Sequence, residues 1–146
     1  MRYYLNIGSN LGDRWANLYG AIVALARGAG GWCLLSDVVR SDPWGFESAN
    51  GFLNVGVAID NDHEPMAVLR WIQSIERALG SAAHRDAQGG YVDRVVDIDI
   101  MAIDSDPGVD GRRSEIVIDT DILKTPHQHL AERPFFMKPL QQLRSR

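Results

Sequence analysis

A chain of 146 residues has room for one domain of ordinary size built around a single core. Its 45% hydrophobic and 23% charged residues are the make-up of a soluble globular protein, and no apolar run approaches the roughly 20 residues that span a bilayer. A formal net charge of -4 with no Lys/Arg-rich run argues against long nucleic acids as partners, and a lone Cys33 against an internal disulfide or a thiol-built metal knuckle.

In the opening segment Asn6 and Gly8 interrupt the apolar residues before a secretory core can form, so a cytoplasmic protein is expected. Residues 2–7 suit a short strand. Asp13 then stands as N-cap to a helix with Trp15, Leu18, Ile22 and Leu25 on one face, ended by Gly28, Gly30 and Gly31. Residues 32–41 suit a second strand, 42–51 a loop, and 52–59 a third strand in which Phe52, Leu53, Val55, Val57 and Ile59 alternate with smaller residues. Pro65 fits the first turn of a second helix carrying Leu69, Ile72, Ile75 and Leu79, which Gly80 stops, and a polar loop follows over 81–91. Residues 95–103 read as a strand with Val96, Ile98 and Ile100 on one face and Asp97 and Asp99 on the other. The order β-α-β-β-α-β predicts an α+β, ferredoxin-like antiparallel sheet with its helices on one face. The rest, with a possible strand at 115–118 and a helical tail over 136–143, is expected to be a C-terminal extension of the same domain, which spans 1–146.

Chemistry concentrates on a few of these residues. Asp97 and Asp99, two apart on a strand, send both carboxylates from one face with Cα atoms roughly 6 to 7 Å apart. They are either a solvated strand face or a site for a divalent cation that relieves their repulsion; magnesium suits oxygen donors where His and Cys are lacking. Arg94 lies within reach of the same region, and His127 and Arg133 add donors suited to phosphate. Gln73 and Glu76, three apart on the second helix, share a face away from the apolar stripe. The 41–54 segment holds Ser41, Trp44, Gly45, Phe46, Phe52 and Asn54; aromatic rings can sandwich a flat heterocycle and an Asn amide can read its polar edge, or the rings simply pack the loop down.

Four motifs in order are carried by Ile7-Gly8-Ser9-Asn10-Leu11-Gly12-Asp13-Arg14, Pro43-Trp44-Gly45 with Phe52-Leu53-Asn54, Arg94-Val95-Val96-Asp97-Ile98-Asp99-Ile100, and Pro126-His127 with Arg133 and Phe135. Together, from residue 7 to about residue 140, they resemble the 6-hydroxymethyl-7,8-dihydropterin pyrophosphokinases. The resemblance implies transfer of pyrophosphate from ATP to the hydroxymethyl pterin, with AMP as the other product, on the route to folate. It implies that Asp97 and Asp99 hold two magnesium ions. It assigns Gln73, Glu76, Arg85, Arg94, His127 and Arg133 to ATP, with Arg94, Asp97 and Asp99 at the chemistry. Ser41, Trp44, Gly45, Phe52, Asn54 and Phe135 fall on the pterin side. The chain departs from the pattern after Gly80, where only His84 and Arg85 supply cations to a loop that is usually more basic, and at Tyr91-Val92-Asp93, Lys124 and Gln128. Two other classes stay open at this stage: a homologue that binds nucleotide or pterin with little turnover, and a metal-dependent phosphohydrolase.

Overall fold

The computed structural model describes residues 1–42, 51–80 and 95–146. Six strands and three α-helices follow in chain order: β1 (Arg2–Ser9), α1 (Arg14–Gly28), β2 (Leu34–Ser41), β3 (Phe52–Asp60), α2 (Pro65–Ala78), β4 (Asp97–Asp104), β5 (Ile118–Asp119), β6 (Lys124–Thr125) and α3 (Pro134–Ser145), with a short 3-10 turn at Leu130–Glu132 before α3. The main sheet runs β2-β3-β1-β4 with every neighbouring pair antiparallel, the split arrangement expected from the element order.

Local chemistry sets the helix starts. The Asp13 side chain accepts from the Ala16 amide at 3.1 Å, and Pro65 opens α2, where its missing N–H would have had no helical partner. The Asn17 amide donates to the Leu11 carbonyl at 2.8 Å and the Ser9 hydroxyl at 3.1 Å, tying the first turns of α1 to the end of β1. One expectation fails in α1. Trp15 is 56% exposed, and the buried stripe is Leu18, Ala21 and Leu25, in which a small alanine takes the place the pattern gave to larger residues.

α1 and α2 cover one face of the sheet, burying Leu18, Leu25, Val68 and Ile72 against Leu5, Ile7, Val55, Val57, Ile98 and Ile100. The opposite face is not bare. Phe136, Leu140 and Leu143 of α3 pack on Tyr4, Ala58, Met101 and Ala102, so the C-terminal segment is a third layer rather than an extension beside the fold. The physical reason lies in β1 and β3. Their residues are buried on both faces, and a strand buried twice needs cover twice. α3 comes close because Gly56 has no side chain; a Cβ there would lie 2.7 Å from Cβ of Pro139 and 3.0 Å from Cδ1 of Leu143. Arg144 anchors the far end of the helix on Asp104 at 2.8 Å and Glu115 at 3.0 Å.

Two bulges adjust the sheet. Opposite Gly56, Ser36 and Asp37 of β2 occupy the space of one residue, and the Ser36 hydroxyl accepts the Gly56 amide at 2.7 Å. On β4, Leu5 pairs with Ile100 and Tyr4 with Ala102, which leaves Met101 as the extra residue. Its carbonyl accepts instead from the His127 amide at 2.9 Å. The strand irregularity thus fixes where His127 lies relative to Asp99. The stretch expected as a strand at 115–118 contributes an isolated bridge from Glu115 to Asp104 and, at its end, Ile118, which opens β5 and pairs with Thr125 of β6.

Candidate active site

Pairing across the sheet places the candidate residues in rows. Gly8 on β1 faces Asn54 on β3 and Asp97 on β4; two residues along, Asn6 faces Gly56 and Asp99. With neighbouring strands about 4.8 Å apart, the backbones at Asn54 and Asp97 stand roughly 10 Å from one another on one face of the sheet. Gly8 keeps the middle of that row low. A Cβ there would meet the Asn54 Oδ1 at 3.1 Å and the Phe52 ring at 3.3 Å.

On the β2 side the Asn54 amide is buried and donates to the Ser41 hydroxyl at 2.7 Å, which orients its other polar groups. Phe52 lies opposite Ser41 and is half-buried. A groove of about 620 Å³ runs between β2 and the first turn of α3, lined by Val38, Val39, Arg40, Ser41, Phe135 and Lys138, with Pro134 at its rim. The Phe135 ring packs edge-on to Phe136 at 5.2 Å, and the Arg133 guanidinium lies 4.8 Å over the Phe136 ring and 5.7 Å over that of Phe135. Ser41 therefore meets Asn54, faces Phe52 and lines one groove with Phe135.

On the β4 side Asp97 and Asp99 are half-buried, and the His127 Nε2 is 3.9 Å from an Asp99 oxygen. The His127 Nδ1 accepts the His129 amide at 3.1 Å, so in the neutral ring the proton resides on Nε2 and points toward the carboxylates. Burial first, then the charges of Arg133 and His129, push the His127 pKa down to about 4, against the opposing pull of Asp97. The ring is thus a neutral donor at physiological pH. NMR titration of His127 without magnesium is expected to show no protonation from pH 8 to pH 5. The unfolded chain takes up this proton near 6.5 and the folded chain only near 4, so His127 lowers stability as pH falls through that interval. A His127 resonance that titrates near 6.5 would contradict this placement.

A second recess, of about 200 Å³, follows the outer edge of β4. It is lined by Gln73 and Glu76 of α2, Ile98 and Asp99 of β4, and the segment from Asp121 to Lys124 with His127 and Gln128. Glu76 differs from the reading that placed it away from the apolar face. It is 2% exposed, and its carboxylate accepts the Ile98 amide at 2.9 Å, occupying a ladder donor that an edge strand would otherwise leave open. Glu76 thus shapes the β4 edge. Ile122 and Leu123 also line this recess and were not anticipated, because a short irregular segment carries no periodic signal. Trp44, Gly45, His84, Arg85 and Arg94 lie outside the described residues.

The sequence profile of the 7,8-dihydro-6-hydroxymethylpterin-pyrophosphokinases matches residues 4–145. The chain belongs to that family. Similar proteins include the 2-amino-4-hydroxy-6-hydroxymethyldihydropteridine pyrophosphokinase of Porphyromonas gingivalis, 37% identical over 94% of this chain and 86% of that protein. Those of the same name from Methylorubrum extorquens and Bacillus subtilis are 36% and 31% identical over 97% and 96% of this chain, and over 82% and 76% of their own lengths. As a pyrophosphokinase of this family the chain has two substrates to seat, and the described residues include a recess beside β2 and α3 and another along β4, with Asp97 and Asp99 on the strand that borders the latter.

Proposed function

We propose that this pyrophosphokinase transfers pyrophosphate from ATP to 6-hydroxymethyl-7,8-dihydropterin, releasing AMP and leaving the pterin diphosphate, in the synthesis of folate. The observation that carries the reading is the row Asn54, Gly8, Asp97, which sets an amide suited to a heterocycle edge and a carboxylate suited to phosphate-bound metal on one face of the sheet. In this reading Ser41, Phe52, Asn54 and Phe135 hold the pterin, together with Trp44 and Gly45. Gln73, His127 and Arg133 meet ATP, together with Arg85 and Arg94, and Glu76 supports the strand edge on which it lies.

The donor set fits magnesium. Asp97 and Asp99 offer hard oxygen atoms on one face, and His127 presents a proton rather than a lone pair, so it serves phosphate and not metal. Asp97 and Asp99 would hold two such ions, whose chemistry is to neutralise phosphate charge and polarise the bond being broken. The protein's own share is positioning and charge. Arg133 and the His127 Nε2 proton donate to phosphate oxygens, and the aromatic rings and Asn54 hold the pterin hydroxyl in line with the β-phosphorus. No helix among the described residues is long and apolar enough to cross a membrane, and both substrates are small and water-soluble; a single cytoplasmic domain is the setting we infer.

The deciding assay follows AMP formation from ATP with magnesium, with and without the dihydropterin. Pterin-dependent AMP is expected. Binding without turnover, or AMP formed equally without pterin, would overturn the assignment. Within the pterin half, Asn54→Ala removes a buried amide from the ring's polar edge, a change of about 1 to 3 kcal/mol. Calorimetry is expected to show pterin binding weakened about tenfold or more with ATP affinity nearly unchanged. The reverse pattern would mean that the two halves have been exchanged.

A further inference from the structure

We propose that Asn6 is a positioning residue for the reaction, acting through α3 on the Phe135 ring of the pterin side; the proposal rests on the pterin reading above. Pro139 lies inside α3 and has no N–H, so it cannot donate to the carbonyl four residues earlier, that of Phe135. The Phe135 carbonyl accepts instead from the Asn6 side-chain amide, at 2.8 Å. Asn6 is 2% exposed and occupies the row between Gly56 and Asp99, and Pro139 itself sits directly over Gly56.

The proline thus does two things at once. It seats the helix over the glycine, and it frees one carbonyl in the first turn for the central strand to hold. That turn begins at Arg133, the N-terminal cap, and carries the Phe135 ring into the groove beside Ser41. A single hydrogen bond from β1, the strand that also pairs with Asn54 and Asp97 through Gly8, therefore sets the first turn of α3 against the remainder of the site. An N–H at residue 139 would compete for that carbonyl.

The test is a double-mutant cycle of Asn6→Ala and Pro139→Ala. Alanine at 139 retains a Cβ toward Gly56 and restores the helical donor to Phe135. Asn6→Ala alone is expected to weaken pterin affinity at least fivefold, with thermal unfolding of the variant still cooperative. In the Pro139→Ala background the same change is expected to alter affinity less than twofold. An equal loss in both backgrounds, or no loss in either, overturns the proposal. An NMR measurement independent of turnover follows the Asn6 side-chain amide protons. Slow exchange and a coupling across the hydrogen bond to the Phe135 carbonyl are expected in the parent and not in Pro139→Ala. A parent protein that shows the coupling but never binds pterin would refute the functional reading, and the positioning role with it. A parent that binds pterin without the coupling would refute the Asn6 role alone.

Discussion

Asp97→Ala and Asp99→Ala are each expected to abolish magnesium-dependent AMP formation while leaving a folded protein. Both side chains leave the same face of β4, half-buried, and neither belongs to the apolar clusters on which the sheet depends. Two such carboxylates repel one another, so removing one does not deprive the fold of an attraction between them. On the proposed reading, what it removes is a ligand for the ions that would neutralise the transferring phosphates. Losing several kcal/mol of that stabilisation, about 4 as an order of magnitude, corresponds to roughly a thousandfold in rate. The measurement is turnover at saturating magnesium and both substrates, alongside circular dichroism. Activity within a few fold of the parent in either variant would remove that residue from the metal site.

Gly56→Ala is expected to destabilise the fold by pushing against α3. The added Cβ would stand 2.7 Å from Cβ of Pro139, 3.0 Å from Cδ1 of Leu143 and 3.1 Å from the Ser36 hydroxyl. A proline ring held within a helix cannot turn aside as a flexible side chain would, so α3 has to move outward. Overpacking of this kind typically costs about 1 to 3 kcal/mol, and the expected readout is a fall in Tm of several degrees. Because α3 begins with Arg133 and Phe135, pterin affinity is expected to fall with it. A Tm within about one degree of the parent would mean that the helix does not need its close seat on β3.

Much of this was legible in the residues. Alternation around Asp97 and Asp99 predicted a strand with two carboxylates on one face, and the structure has them there because Ile98 and Ile100 have to reach the helix layer. The Asp13 cap and the Pro65 start were local chemistry, readable without knowledge of what they pack against. Three features were not readable. The Met101 bulge leaves no local signature, since Met101 and Ala102 are both apolar and only the pairing with β1 shows that one is extra. Glu76 resembles a surface residue on a helix wheel, and its burial depends on the Ile98 amide at the edge of a strand far along the chain. The layer formed by α3 was hidden because residues 134–146 mix polar and apolar residues around a proline, while the demand for cover lay in β1 and β3.

The central position of β1 has a consequence for how the molecule comes to exist. This strand is made early, yet both its neighbours, β3 and β4, belong to distant parts of the chain, and neither row of the site can form before the β4 segment has been added. A sheet whose central strand pairs only with distant segments pays its loop-closure entropy before those contacts reward it, which places folding in the slower range for a domain of this size. Until α3 docks, Tyr4, Ala58, Met101 and Ala102 form an uncovered apolar surface that invites association with other unfinished chains. Docking that buries this surface is also the event that brings Phe135 to the groove beside Ser41. An incomplete intermediate is therefore sticky but catalytically silent, and a population of destabilised molecules should contain fewer working copies rather than uniformly poorer ones.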